Sequence, residues 1–304
     1  MNIVVTGVNG FVGKHLTRIL IEAGHAVIGV SQEDTPHEQI KNQLTEYAGC
    51  DLAKRWPELT TNVDAIIHLA GMAAVGPSFD KPQLYINTNS SIVTNLCEYY
   101  LHQENKPRIV LVSSGAVYGP RQSMPINESG DVQFGSPYAV SKILNENQAA
   151  YYRSRGLDCV VARPFNHIGP DQLPGFLVPD LISKIASRQN ETDPISVGNL
   201  TSKRDYTDVR DVASAYMLLA THSQKPKQLI YNICSGVSLS GEEILSTIAN
   251  AMRIQTPATK VDESLIRPNE VMDIRGDNSA LTSEFGWKPT IGIDITIEDI
   301  VATA

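Results

Sequence analysis

Positive charge, cysteine and long apolar runs are all scarce in this sequence, and each scarcity excludes a class of protein. Lys and Arg number 25 against 33 Asp and Glu, for a formal net charge of -8. A sequence-independent nucleic-acid binder needs a basic face, and this balance supplies none. An anionic small molecule stays compatible, because a few arginines in one cleft suffice. Only four cysteines occur, Cys50, Cys97, Cys159 and Cys234, and none forms a C-x-x-C pair. That argues against a zinc ribbon, a disulfide scaffold and a thioredoxin-like site. Each is expected as a small buried hydrophobe in a reducing compartment. The seven histidines show no metal-ligand spacing, so no metal is expected. No uncharged apolar run reaches about 18 residues, so no membrane span is expected. The opening MNIVVTGVNG lacks the basic and apolar regions of a signal peptide. The expected location is the cytoplasm.

What is present is an ordinary folded composition: 304 residues, 42% hydrophobic and 19% charged. At ~150 residues per domain the length fits two structural units. Asn2–Thr6, Ala26–Val30, Ala65–Leu69, Ile109–Val112 and Cys159–Ala162 are short, β-branched and apolar on both faces. Such runs predict buried strands of a parallel sheet covered by helices. Between the first two, Val12, Leu16, Ile19, Leu20 and Ala23 recur at helical steps, and Gly24 ends the run. Strand–helix alternation predicts an α/β fold with a doubly wound parallel sheet. From about residue 165 the pattern changes, punctuated by Pro164, Gly169, Pro170, Pro174, Gly175 and Pro179. Helices are expected near 177–189, 208–222 and 240–253, and one more strand at Leu229–Cys234. The chain thus divides into residues 1–165, plus roughly 208–235, and a smaller, mostly C-terminal α/β unit of 166–207 and 236–304.

The stretch from Thr6 to Gly13 reads G-x-x-G-x-x-G and joins a predicted strand to a predicted helix. This is the context of a dinucleotide site in a Rossmann-type sheet. Gly7 permits the tight turn, Gly10 lets backbone approach a pyrophosphate, and Gly13 lets helix and sheet pack closely. Asn9, Phe11 and Val12 complete the loop, and the helix start offers free N–H groups to the anion. The second strand runs into Ser31, which neither accepts from ribose hydroxyls as a carboxylate does nor repels a 2′-phosphate. The balance favours NADPH, with NADH open because no arginine follows.

Tyr138 and Lys142 are four apart in a helical pattern, hence on one face. Theirs is the only Y-x-x-x-K among 11 tyrosines. A phenol of pKa ~10 must exchange a proton near neutrality, and a fixed ammonium beside it favours the phenolate. Ser114, four before Tyr118, would hydrogen-bond and polarise a substrate oxygen.

These motifs, in this order, resemble the extended short-chain dehydrogenase/reductase superfamily over nearly the whole chain. The resemblance implies catalysis by Ser114, Tyr138 and Lys142, with Lys142 also on the nicotinamide ribose. It places Asp51 and Leu52 at the adenine, and Leu69, Ala70 and Gly71 where backbone passes the cofactor. Asn87 matches the Asn of a family helix. It implies a nucleotide-sugar partner held by Asn166, His167, Val178, Asn199, Arg204, Arg267 and Glu270, with guanidinium forks suited to a diphosphate. The string Phe165-Asn166-His167-Ile168-Gly169-Pro170 resembles the GDP-mannose-derived branch. Dehydratases of that superfamily carry an acid after the serine, and epimerase-reductases a Cys; Gly115-Ala116 offers neither. What remains is reduction of a 4-ketone or 4-epimerisation, and of these the resemblance implies NAD(P)H-dependent reduction of the GDP-4-dehydro-6-deoxy-D-mannose ketone. Two alternatives stay open: a nucleotide-sugar 4-epimerase with tightly held NAD, and a non-catalytic NADP-sensing protein. Segments 84–104 and 138–155 could each present a second apolar face; in the superfamily the matching helices form a four-helix dimer interface, so the resemblance implies a homodimer.

Overall fold

A computed structural model describes residues 1–120, 122–266 and 271–303. The chain runs β1 (Asn2–Thr6), α1 (Phe11–Glu22), β2 (Ala26–Ser31), β3 (Glu46–Gly49), β4 (Ala65–His68), α2 (Val75–Ser78), α3 (Pro82–Leu101), β5 (Arg108–Val112), α4 (Pro137–Ser154) and β6 (Asp158–Pro164). The chain continues through β7 (Asn166–Ile168), α5 (Leu177–Ala186), β8 (Ile195–Val197), β9 (Lys203–Asp208), α6 (Val209–Thr221) and β10 (Ile230–Ile233). The remainder is β11 (Ser238–Ser240), α7 (Gly241–Ala251), β12 (Thr259–Val261), β13 (Asp273–Ile274), α8 (Ser279–Phe285) and α9 (Ile293–Thr303).

Seven strands form one parallel sheet in the order β10-β6-β5-β4-β1-β2-β3, a Rossmann-like α/β architecture. The alternation of strand side chains builds a core on each face. Ile3 and Val5 point towards Leu16 and Leu20 of α1 and Val212, Tyr216 and Leu219 of α6. Val4 points the other way, towards Ile92 and Leu96 of α3 and Ala149 and Tyr152 of α4. The expected strands are present within a residue or two. β3, implied by the resemblance ahead of Asp51, is absent from the apolar runs because Glu46–Gly49 is an edge strand, half-buried to exposed.

The chain winds outwards from β1 through β2 and β3, then returns to pair β4 on the other side of β1. Strand order thus reverses between β1 and β4. In open α/β sheets ligands bind outside the carboxyl ends of the strands at such a reversal. Apart from β10, the strands beyond β6 form smaller sheets: β9 pairs with β7, β11 and β13, and β8 with β12. A separate apolar core of Ile168, Leu181, Ile244, Ile248, Ile297 and Ile300 holds them. Asp208 caps α6 through Arg210 N–H, which returns the chain from β9 to the large sheet. Among the described residues no helix is long and apolar enough to cross a membrane.

Candidate active site

The glycine-rich turn lies where the strand order reverses. Gly7 has φ +67, and a Cβ there would stand 3.0 Å from Ala70 N. A Cβ on Gly13 would stand 2.5 Å from Gly7 O. Only hydrogen fits either position. Gly7 N–H donates to Val30 O at 2.7 Å, which folds the turn over the end of β2. Helix α1 begins at Phe11 after Gly10, with no side-chain cap and no acid in its first turn. Uncapped N–H groups at a positive helix end suit a pyrophosphate. The Asn9 side chain instead ties the turn to the loop after β2. Its amide donates to Thr35 O at 3.1 Å and accepts from His37 N–H at 2.8 Å.

Around this cradle the sequence-predicted cofactor residues separate. Leu69, Ala70 and Gly71 follow β4 directly beside Gly7. Thr6 Oγ1 accepts from Ala70 N–H at 3.1 Å and pairs with His68 Nδ1 at 2.8 Å. Burial, with the Lys142 charge, pushes His68 down to about 3, so it is a neutral brace. Asp51 accepts from Ala53 N–H and pairs with Lys54, while Leu52 is buried in the core. Asn87 is exposed and accepts from Gln83. The buried asparagine of that helix is Asn89, which the motif reading missed. It accepts from Met72 N–H at 2.8 Å and donates to Ser141 at 2.9 Å, so it fixes the Gly71 loop against α4. Ser31 is buried and donates to Glu33, a second residue the motif reading passed over.

Ser136 caps α4, its hydroxyl accepting from Ala139 N–H at 3.1 Å, with Pro137 in the first turn. This local signal, Ser-Pro before a helical run, starts the helix where Tyr138 and Lys142 share its inner face. Both are buried, at 6% and 7% exposure. Ser114 follows β5 and caps a short 3-10 turn, accepting from Ala116 N–H at 3.1 Å. Burial pushes the Tyr138 phenol up to about 12, opposed by its hydrogen bond with Ser114. The sequence led us to expect Lys142 to draw that phenol down. Burial outweighs that pull, although the ammonium stands 5.8 Å from the ring centroid, where it also donates to Val112 O at 2.8 Å. Lys142 itself is held down at about 8 by burial, with Glu146 opposing.

Glu146 lies one helical turn beyond Lys142. It accepts from Arg163 Nε at 2.8 Å and from its terminal nitrogen at 2.6 Å, and from Ser113. Arg163 also donates to Tyr118 OH at 2.9 Å, and Tyr118 to Asn232 at 2.6 Å. This buried network joins α4, β5, β6 and β10 behind the reacting triad. Its one sequence signal was the four-residue step from Lys142 to Glu146.

On the far side of the cradle, β7 carries Asn166, exposed, and His167, half-buried. The His167 ring stacks on Phe11 with centroids 6.2 Å apart and planes within 6°. Burial lowers its pKa, so the ring is neutral at pH 7. His15 reaches Pro170 O at 2.9 Å from the same helix as Phe11. Val178 is fully buried in the apolar core of α5 rather than at an open face. Asn199 accepts from Thr201 N–H at 3.0 Å, and Arg204 donates to Lys203 O and Val271 O at 2.8 Å. Arg267 and Glu270 lie outside the described residues.

Comparison with known proteins agrees with this geometry. The family model of the NAD dependent epimerase/dehydratase family matches residues 3–234. GDP-6-deoxy-D-mannose reductase of Pseudomonas aeruginosa is 33% identical, over 98% of this chain and 95% of the relative. UDP-glucose 4-epimerase of Lactobacillus helveticus is 25% identical, over 100% of this chain and 96% of its own. The solved structure of RMD from Pseudomonas aeruginosa complexed with NADPH superposes with a TM-score of 0.81 at 30% identity, covering 99% of this chain and 98% of that one. The glycine cradle, the buried Tyr138–Lys142 pair and these matches lead to one conclusion: the chain belongs to the NAD dependent epimerase/dehydratase family, the extended branch of the short-chain dehydrogenases/reductases.

Proposed function

We propose that this chain reduces the C4 ketone of GDP-4-dehydro-6-deoxy-D-mannose with NAD(P)H, forming GDP-6-deoxy-D-mannose (GDP-D-rhamnose). The observation that carries the reading is the turn after Ser114. It presents Gly115 and Ala116, neither able to carry a proton, and a Cβ on Gly115 would lie 3.1 Å from the Phe165 ring. An added acid, base or thiol there has no room without displacing that ring. Chemistry at C3, C5 or C6 of a hexose needs such a group; ketone reduction at C4 does not. The relative at 33% identity bears the name of that activity.

When bound, the nicotinamide supplies a hydride to the carbonyl carbon. Everything else falls to side chains. Tyr138, protonated at neutral pH, gives its phenolic proton to the developing alkoxide. Ser114, hydrogen-bonded to Tyr138, donates to the same oxygen and steadies its charge. Lys142 holds its ammonium beside the ring, so the phenolate left behind is compensated. His167, neutral and stacked on Phe11, takes a positioning part between the turn and the sugar unit. Asn166, Asn199 and Arg204, with Arg267, are proposed for the nucleotide diphosphate. The reaction belongs in the cytoplasm, in keeping with four buried, unpaired thiols. Leu84, Leu144 and Tyr151 stay exposed on α3 and α4, the face proposed for a homodimer.

The test is reduction of freshly generated GDP-4-dehydro-6-deoxy-D-mannose in heavy water, with the product examined by NMR. Deuterium from a labelled nicotinamide is expected at C4 alone, and no carbon-bound solvent deuterium at C3 or C5. Solvent label at C3 or C5 would overturn the reading. The named epimerase relative supports a second reading, a 4-epimerase. Interconversion of UDP-glucose and UDP-galactose without added cofactor would establish that one instead.

A further inference from the structure

Helices α3 and α4 follow neighbouring strands of a parallel sheet, so they run in the same direction and both begin at the carboxyl ends of the strands. Side-chain rungs fix their register. Asn89 donates to Ser141 at 2.9 Å, Gln148 to Thr94 at 2.8 Å, and Tyr152 to Glu98 at 2.8 Å. Tyr85 lies four residues before Asn89, and Tyr138 three before Ser141. Both steps stay on one helix face, and side chains lean towards a helix N-terminus. The two phenols therefore stand side by side, one turn above the Asn89–Ser141 rung and nearer the reacting end. A charge on Tyr85 would oppose ionisation of Tyr138.

Tyr85 is 3% exposed, yet it joins none of the apolar cores, whereas Ile92, Val93 and Leu96 further along α3 do. A buried tyrosine hydroxyl ordinarily finds a partner. That of Tyr85 has none among the described residues; burial alone acts on it, holding the phenol above its ordinary value and so protonated at neutral pH. Nor is its oxygen one of the unpartnered polar atoms closed off from solvent, as Trp56 Nε1 is. A ring withdrawn from water with its polar tip open and unused suits a ligand contact rather than packing. We propose that Tyr85 is a second substrate-contacting phenol, its hydroxyl bonding the sugar hydroxyl next to the carbonyl that Tyr138 protonates. In a 4-dehydro-6-deoxy hexose that hydroxyl is on C3, because C5 carries the ring oxygen and the methyl group. Held at two adjacent oxygens, the ring is fixed in orientation before hydride transfer. The inference rests on the C4-ketone reading of the same site.

Tyr85→Phe keeps the ring and removes only the oxygen. With GDP-4-dehydro-6-deoxy-D-mannose, kcat/KM is expected to fall ~3–10-fold, the worth of one neutral hydrogen bond, with Tm and dinucleotide affinity unchanged. The 3-deoxy analogue of that ketone supplies a readout that a structural role would not move. The unaltered chain should lose a similar factor against it, and Tyr85→Phe should lose nothing further. Equal losses from Tyr85→Phe on both ketones would place Tyr85 in packing and overturn the proposal, as would full activity of Tyr85→Phe on the parent ketone. Independently of any variant, an unaltered chain indifferent to the C3 hydroxyl overturns it. Interconversion of UDP-glucose and UDP-galactose without turnover of the GDP-linked ketone sinks the reductase reading alone; the same comparison, with 3-deoxy UDP-glucose, then decides Tyr85. Turnover of neither substrate by the unaltered chain overturns both.

Discussion

Tyr138 and Lys142 have opposite responses to the same burial. Removal from water disfavours charge, so the phenol rises to about 12 and the ammonium falls to about 8. The pair therefore begins as a neutral acid beside a cation, the state a ketone reduction needs. Tyr138→Phe keeps the ring and removes the proton. The expected loss in kcat is ~10²–10⁴-fold, the usual contribution of general acid–base catalysis, with dinucleotide affinity preserved. Retention of half the rate in single-turnover measurements would strip Tyr138 of its role. The pH sign follows from Lys142. Its charge is present below its value of about 8 and lost above it, leaving the phenolate uncompensated. Hydride-transfer rate should thus be level near neutrality and fall as pH rises through about 8. Glu146 opposes the effect of burial, so Glu146→Gln should move that falling limb to lower pH. A limb that stays in place would separate Glu146 from the chemistry.

At the scale of elements, two joints hold the site together: the strand–turn–helix at the cradle, and the ion pair behind α4. Gly13→Ala and Gly24→Ala distinguish close approach from backbone strain. Gly13 has Gly7 O and Val8 O at 2.5 and 2.6 Å from its would-be Cβ, whereas Gly24, at φ +81, meets nothing within 4 Å. Gly24→Ala should cost ~1–2 kcal/mol, the left-handed penalty alone, and leave dinucleotide binding intact. Gly13→Ala should abolish the rise in Tm that added dinucleotide gives. Equal behaviour of the two variants in thermal unfolding would refute this account of the turn. Arg163 and Glu146 are 4% and 7% exposed and doubly hydrogen-bonded. Removing one partner strands a buried charge, so Arg163→Met should cost ~3–5 kcal/mol. The double variant Arg163→Met/Glu146→Gln should recover part of that loss in denaturant titrations, and no recovery would place the cost in packing instead.

Over the whole molecule, the cores of the large sheet and the separate core of α5, α7 and α9 make separable demands. Ile297 of α9 is fully buried in that separate core, far in sequence from the strands that frame the cradle. Ile297→Ala should destabilise by ~2–5 kcal/mol, as buried large-to-alanine changes do, while the folded fraction binds dinucleotide normally. A matching loss of dinucleotide affinity would show that the cores do not act independently. Asp208 and Arg210 link β9 and α6 to α9, with Arg210 reaching Asp208 and Asp299 at 2.7 Å, and Thr296 donating to Asp208. The Phe11–His167 stack does the same at the cradle.

Local signals determined much of this protein. Apolar runs specify strands wherever both faces are covered, glycine spacing specifies a turn only glycine can make, and a four-residue step puts Tyr138, Lys142 and Glu146 on one helix face. These are properties of short range, legible because backbone sterics and helical period act within a few residues. The edge strand Glu46–Gly49 had no such signal, since one of its faces is open to solvent. Only the tertiary structure decided that Asn89 rather than Asn87 is buried against the loop after β4, and that Val178 is core. Only it showed that Lys142 donates to a carbonyl while burial keeps the phenol protonated. It also set the Glu33 carboxylate on the Ser31 hydroxyl. Burial, and the approach of groups distant in sequence, set charge and hydrogen bonding, and neither is encoded in the spacing of residues along the chain.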